Sequence, residues 1–269
     1  DQMLGPRLVC AGQPITSPGG HCHFWGGEAA DPDAALQVLE RQAEKGVDLI
    51  KVMATGGNLT PGSTPAQAQF EQDVIEAVVQ SASAHGYHVA AHCHGTPGIR
   101  NAAFAGVHTI EHCSWVGDGG WGADYDADVA SHIGHHGIFV SPTINSGWKR
   151  FYGAADREAK VGANFDRMRE AGVRLIASTD AGIPGVHHDD LPRALPYFAH
   201  FAHLSPVEAL RAATSSCAEA LGVGGVTGAV QAGLCADLLL VEGDPLSDLE
   251  ALGSPVEVFV RGRSILGAL

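Results

Sequence analysis

No apolar run in this chain approaches the roughly 20 residues that a spanning helix requires, which excludes a helical membrane span from the sequence. Basic residues are scarce. Sixteen Lys and Arg stand against 30 Asp and Glu, a net charge of −14, and this argues against nucleic acid or an acidic membrane as partner because phosphate binding needs a basic surface. The six cysteines, at 10, 22, 93, 113, 217 and 235, include no Cys-x-x-Cys pair. Two of them sit beside histidines inside expected strands, so buried reduced thiols are expected rather than disulfides. With no signal-peptide pattern at the N-terminus, the expected compartment is the cytoplasm.

What is present is ordinary for a globular protein, at 45% hydrophobic and 17% charged. A length of 269 residues suffices for one large domain with a sizeable core, or a domain with a small appendage. Histidine is the exception, with 15 copies. His85, His108, His132 and His200 fall on or beside expected helices and read as solvated, and His135 and His136 as favourable charges at a helix C-terminus. His92 and His112 read differently.

His88 to His94 and Thr109 to Cys113 are two short apolar runs ending in histidine, one helix apart. That is the pattern of consecutive parallel strands whose C-terminal ends share a site. One histidine ending a strand is more often a hydrogen-bonded core residue than a ligand. Two at equivalent positions point to a catalytic divalent metal, which neutral imidazole holds well.

Around this centre the expected elements alternate. Leu8–Gly12 reads as a strand, followed by a Gly- and Pro-rich loop from Pro14 to Gly27. Asp31 and Pro32 open a helix as N-cap and first residue, and Gly46 closes it. In the next strand, Val47–Ala54, Lys51 interrupts a continuous apolar run and shares a face with Leu49 and Met53. A buried ammonium costs several kcal/mol unless something neutralises it. Either an ion pair does so, or the lysine becomes an anionic carbamate that binds metal. Thr55-Gly56-Gly57-Asn58 lacks the pattern of a phosphate cradle and implies close backbone approach to a site. Thr64-Pro65 is expected to open a helix that His85-Gly86 ends.

Further on come a helix near Ala123 to His136, the strand Ile138–Thr143, a polar helix from about Ala154 to Ala171, and the strand Val173–Gly182. That last strand ends in Asp180, where a catalytic carboxylate of a barrel would sit. The loop after it carries His188, which borders a substrate pocket or is simply solvated. Ser205-Pro206-Val207-Glu208 is a capping box. From Gly222 the chain alternates short apolar runs with turns and reads as a small β appendage.

Ile50-Lys51-Val52-Met53-Ala54-Thr55-Gly56-Gly57, Ala91-His92-Cys93-His94-Gly95, Glu111-His112-Cys113, Ser178-Thr179-Asp180-Ala181-Gly182 and Gly233-Leu234-Cys235-Ala236-Asp237-Leu238 together resemble the amidohydrolase superfamily. The similarity is to its imidazolonepropionase-like and Xaa-Pro dipeptidase-like branch. It implies a (β/α)8-type barrel over residues 1–221, with 222–269 contributing the β segment of a composite β-sandwich. It implies a binuclear site in which carboxylated Lys51 bridges two divalent ions, expected to be zinc, His92 and His112 bind one of them, and Asp180, also a metal ligand, binds or orients the water and shuttles its proton. Only six strands are counted, and six cannot close an eight-stranded barrel, so an N-terminally incomplete barrel with one or two ions is expected.

The family's additional His-x-His pair has one spelling match, His21-Cys22-His23. Pro18-Gly19-Gly20 precedes it where an apolar strand should be, which favours His21 as a substrate-side contact. The implied function is metal-dependent hydrolysis of an amide-type C–N bond in a dipeptide, an N-acyl amino acid or a related carbamate or urea, by a homo-oligomer. The alternatives are a cyclic amide or amidine hydrolase or deaminase, and a catalytically silent metal-binding fragment.

Overall fold

A computed structural model describes residues 5–265. The chain forms two compact units: Val9–Pro142 with Arg167–Leu175, and Thr143–Asp166 with the chain from Ile176 onward and the residues before Val9.

The first unit is built on a parallel sheet of β1 (Ile50–Met53), β2 (Val89–Gly95), β3 (Thr109–Val116), β4 (Phe139–Ser141) and β5 (Arg174–Leu175), neighbours in space in the order of the chain. Between them run α1 (Pro32–Glu44), before β1, then α2 (Gln72–Ala84), α3 (Thr96–Phe104) and α4 (Ala127–His135). A parallel sheet needs such crossovers, and they cover one of its faces. Ile50, Val52, Val89, Ala91, Ile110 and Val140 supply that face and are all at most 3% exposed. Fully buried Val78, Ile99 and Val129 come from α2, α3 and α4.

The opposite face is polar. Lys51, Ala90, Thr109, Phe139 and Arg174 lie abreast in one row, and Met53, His92, Glu111 and Ser141 in the next. Laterally paired residues share a face, so the register alone gathers Lys51, His92 and Glu111 on one side of the sheet.

Asp31 caps α1 as expected, its carboxylate accepting from the Ala34 amide at 2.9 Å. Two expected elements are corrected. Leu8–Gly12 is not a strand: Leu8 is 72% exposed, and Gly12 turns the chain with φ 66°. The residue that pairs beyond β1 is instead Ile15, bridged to Val52 through the Lys51 carbonyl and the Met53 amide. Nor does Thr64-Pro65 open a helix. Residues after β1 fold back through Gly56 N–H to Gln67 O and Gln69 N–H to Ala54 O, and α2 begins only at Gln72.

The second unit holds most of α5 (Ala155–Glu170), then α6 (Leu191–Phe201), α7 (Pro206–Ala213) and α8 (Ser215–Ala220). The capping box at Ser205 and Glu208 is formed in both directions. Its antiparallel sheet of β6 (Leu238–Val241), β7 (Pro255–Val260) and β8 (Arg263–Ser264) is the expected appendage. Asp237 anchors it, accepting from the Arg261 amide and the Thr227 hydroxyl and pairing with Arg7 at 3.3 Å. No helix among the described residues is long and apolar enough to cross a membrane. All six cysteines are free thiols, as expected.

Candidate metal centre

At the C-terminal ends of β2 and β3 three imidazoles meet. His92 and His94 are two residues apart on one strand, so both face the polar side. By the same alternation His112 should face away, because it follows Glu111. It does not, because His112 takes a left-handed backbone with φ 69° that breaks the alternation. The His112 ring then lies 4.2 Å from that of His94 and 4.6 Å from that of His92, centroid to centroid. One nitrogen from each of His92, His94 and His112 falls within 4.8 Å of the others.

Strain of this kind is concentrated here: Cys113 and Trp115 are also left-handed, at φ 48° and 50°. Each such non-glycine residue costs of order 1 kcal/mol or more and persists only where its surroundings hold it.

All three rings are held neutral. Burial pushes the pKa of His92 and His112 well below its ordinary value, and the neighbouring imidazoles and Lys51 push in the same direction. For His94 burial, with His21 and Lys51, brings the value to about 3. Neutrality leaves each ring a lone pair. In His92 the Nε2 lies 3.0 Å from the Gly56 carbonyl, which can only accept, so Nε2 carries the proton and Nδ1 the lone pair. The Nδ1 of His94 pairs with the Ser114 hydroxyl at 3.0 Å. The adjacent thiols are poor competitors as ligands. Burial raises the pKa of both Cys93 and Cys113, which keeps them protonated.

Lys51 stands close enough for its positive charge to depress the pKa of His21, His92, His94 and His112. Among the described residues no carboxylate lies within ion-pair distance of its amine. Nor is Lys51 as deeply buried as the apolar run around it implies: it is half-buried, so partial contact with solvent rather than an ion pair accommodates its charge.

His21 joins the group from the loop before α1. It is 4% exposed, its ring is 4.6 Å from His92, and its Nδ1 is buried without a hydrogen-bond partner among the described residues. An orphaned imidazole nitrogen costs about 1–3 kcal/mol unless a ligand or ion satisfies it. His23 turns away to pack on Phe24, so the His-x-His spelling at 21–23 does not make a converging pair. The Gly56-Gly57 loop does approach the site closely. Gly56 supplies the carbonyl to His92, and a Cβ on Gly57 would fall 2.4 Å from the His21 Nε2.

The donor set thus fits a divalent cation: neutral buried imidazoles, converging nitrogens and no competing thiolate. Asp180 and His188 belong to the other compact unit. Asp180 follows the end of β5 in the chain and is itself left-handed at φ 58°. The stretch leading to it pairs as strand only at Arg174–Leu175, shorter than expected. Asn145 holds it by donating from its Nδ2 to the Thr179 carbonyl at 3.2 Å. His188 is exposed, its ring beside Gly182.

Three residues here escape a reading of the sequence. His94 had a signal, its i, i+2 spacing from His92. Ser114, which orients His94, and Gln69 had none. Gln69 accepts from the His21 amide through Oε1 and donates to the Met53 carbonyl at 2.7 Å and the Thr16 hydroxyl at 3.0 Å, fixing the loop that carries His21.

A model of the Amidohydrolase family matches residues 1–265. An ochratoxinase of Aspergillus niger is 27% identical over a 291-residue alignment that takes in 95% of this chain, and the chain spans only 58% of that protein. An imidazolonepropionase of Chloroflexus aggregans is 35% identical over 102 residues, 37% of this chain and 24% of that protein. Among solved structures, a Xaa-Pro dipeptidase with methionine bound in its active site superposes with a TM-score of 0.81 at 26% identity, covering 98% of this chain and 69% of the other.

Proposed function

This chain belongs to the amidohydrolase family, and on that premise we propose that it acts as a metal-dependent hydrolase of amide-type C–N bonds in a dipeptide, an N-acyl amino acid or a related carbamate or urea. The observation that carries the reading is the trio of converging neutral imidazoles at the ends of two adjacent parallel strands, His92 and His94 buried and His112 half-buried, with a lysine beside it that has no ion-pair partner among the described residues. The likeness to a Xaa-Pro dipeptidase and to an ochratoxinase supports it.

In this account His92 and His112 would hold a divalent ion, zinc being well suited to imidazole, and Lys51 would join them as a ligand in the form of a carbamate. A bound ion supplies an acidified water and a polarised scissile carbonyl. Asp180 accepts the proton of the attacking water and returns it to the leaving nitrogen, as base and then acid. Addition of carbon dioxide to the deprotonated Lys51 amine, with release of a proton from the nitrogen, would form the N–C bond of the carbamate and replace a cation with an anion, which removes the repulsion a lysine would offer to a metal. His21, with its buried Nδ1 unpartnered among the described residues, contacts the substrate, and His188 is a further substrate contact. The 2-residue spacing of His92 and His94 leaves His94 free to act beside the metal or as an additional ligand.

The test uses Lys51→Ala and Asp180→Asn with a panel of dipeptides and N-acyl amino acids at fixed zinc. Each variant is expected to lose hydrolysis by about a hundredfold or more. Retention of metal-supported hydrolysis by both would remove the mechanism. The match to an imidazolonepropionase supports a second reading, a ring amide or amidine substrate on the same residues. Ring substrates in the same panel separate the two.

A further inference from the structure

The end of β3 and the loop after it carry two tryptophans with opposite fates. Trp115 is 1% exposed, its Nε1 directed at the Met168 sulfur at 3.4 Å, whereas Trp121 is 41% exposed. Trp121 stands 4.8 Å from His94, ring centroid to ring centroid, at an interplanar angle of 77°. That exposure leaves part of the indole surface open beside the edge-to-face contact.

The loop that presents it is held firmly. Gly117 and Gly120 exchange amide-to-carbonyl hydrogen bonds at 3.3 and 2.9 Å, and Asp124 N–H donates to Trp115 O at 3.1 Å. A side chain at Gly117 would strike Asp124, its Cβ 2.5 Å from that residue's Cβ. Ser114 ties the two parts together, since its carbonyl accepts the Gly122 amide at 3.0 Å while its hydroxyl holds His94. An aromatic wall fixed against a member of the imidazole trio is preorganised for a flat apolar group, because little side-chain freedom is left to lose on binding.

We propose that Trp121 is a specificity-determining residue, forming the wall on which an aromatic substituent next to the scissile amide stacks. The inference rests on the hydrolase reading above and deepens it by naming the substrate class: amides whose acyl or amine half carries an aromatic ring.

N-acetyl-L-phenylalanine and N-acetylglycine, assayed with wild type, Trp121→Ala and Trp121→Phe, test it. Trp121→Ala should raise KM for the phenylalanine substrate by about ten- to a hundredfold with kcat nearly unchanged, and leave the glycine substrate within about twofold. Trp121→Phe should restore most of the loss. Equal effects on both substrates, or none on either, would overturn the proposal. Calorimetric titration with L-phenylalanine and with glycine, using zinc-loaded wild type and Trp121→Ala, separates this from failure of the hydrolase reading. If wild type hydrolyses neither substrate but prefers phenylalanine, and Trp121→Ala abolishes that preference, the wall stands and the hydrolase reading falls. No preference in wild type overturns the wall itself.

Discussion

Replacing Gly57 with alanine puts a number on how tightly His21 is seated. The new methyl would lie 2.4 Å from the His21 Nε2, 2.5 Å from Cε1 and 2.8 Å from Cδ2, all inside any real contact distance. The ring has little room to retreat. His92 stands 4.6 Å away, the His21 carbonyl is held by the Thr16 hydroxyl at 2.8 Å, and the next amide by the Thr60 hydroxyl at 2.9 Å. Overpacking of this kind costs about 1–3 kcal/mol. It is offset by about 0.4–1 kcal/mol, because alanine restricts the unfolded chain and Gly57 does not have a positive φ that alanine would resist. Urea unfolding should therefore place Gly57→Ala about 1–2 kcal/mol below wild type. In a His21→Ala background the obstacle is gone and only the offset remains, so the same substitution should be neutral or slightly stabilising there. The coupling between the two sites should be about 1–3 kcal/mol. An identical effect of Gly57→Ala in both backgrounds would mean that His21 does not occupy the space beside Gly57.

Metal removal should lower stability: with zinc at a hundredfold excess over its Kd the folded protein gains about 2.7 kcal/mol, lost on chelation and lost permanently in His112→Ala, read by thermal unfolding with and without chelator. Gly134→Ala should cost at least about 1–3 kcal/mol, because its Cβ would sit 2.0 Å from the Ala171 carbonyl oxygen, read by the urea midpoint. Asp126 caps α4 through the Asp128 and Val129 amides at 3.0 and 3.1 Å. Burial raises its pKa, but the Val129 amide and Arg100 outweigh it and leave the carboxyl below its ordinary value. Its contribution is thus complete above the unfolded value of about 4 and is lost as pH falls through the lower, folded value. Asp126→Ala should cost about 1 kcal/mol at pH 7 and progressively less on acidification below about pH 4, read by unfolding across that range.

The parts of the molecule legible in the sequence were those decided by neighbours in the chain. Asp31 before Pro32, and Ser205 before Glu208, announce helix starts because a cap needs only its own first turn. The succession of strands and helices from Ile50 to Leu175 likewise follows from periodicity. Thr64-Pro65 carried the same local signal and misled, because the backbone there is committed to Ala54 and Gly56 from across the loop. Leu8–Gly12 misled for the converse reason: apolar composition does not make a strand without a partner, and the edge of β1 not paired with β2 is bridged by Ile15 instead. α6 is legible only at His200, with no start signal to set its bounds and Pro196 in its interior. In the site, Lys51 and His92 were legible from alternation. His112 was legible by its position in the motif, yet alternation would have aimed it away from the others, and only the left-handed backbone brings it in.

That backbone also narrows the repertoire of residue 112. A left-handed main chain tolerates glycine, asparagine, aspartate and histidine far better than valine or isoleucine, which a strand end would otherwise welcome. The short menu overlaps the menu of oxygen and nitrogen donors. Exchange of imidazole for aspartate at this spot would keep a residue that tolerates the same backbone, so if the trio holds a metal its preference would shift toward harder ions by a single codon change while the architecture stays put.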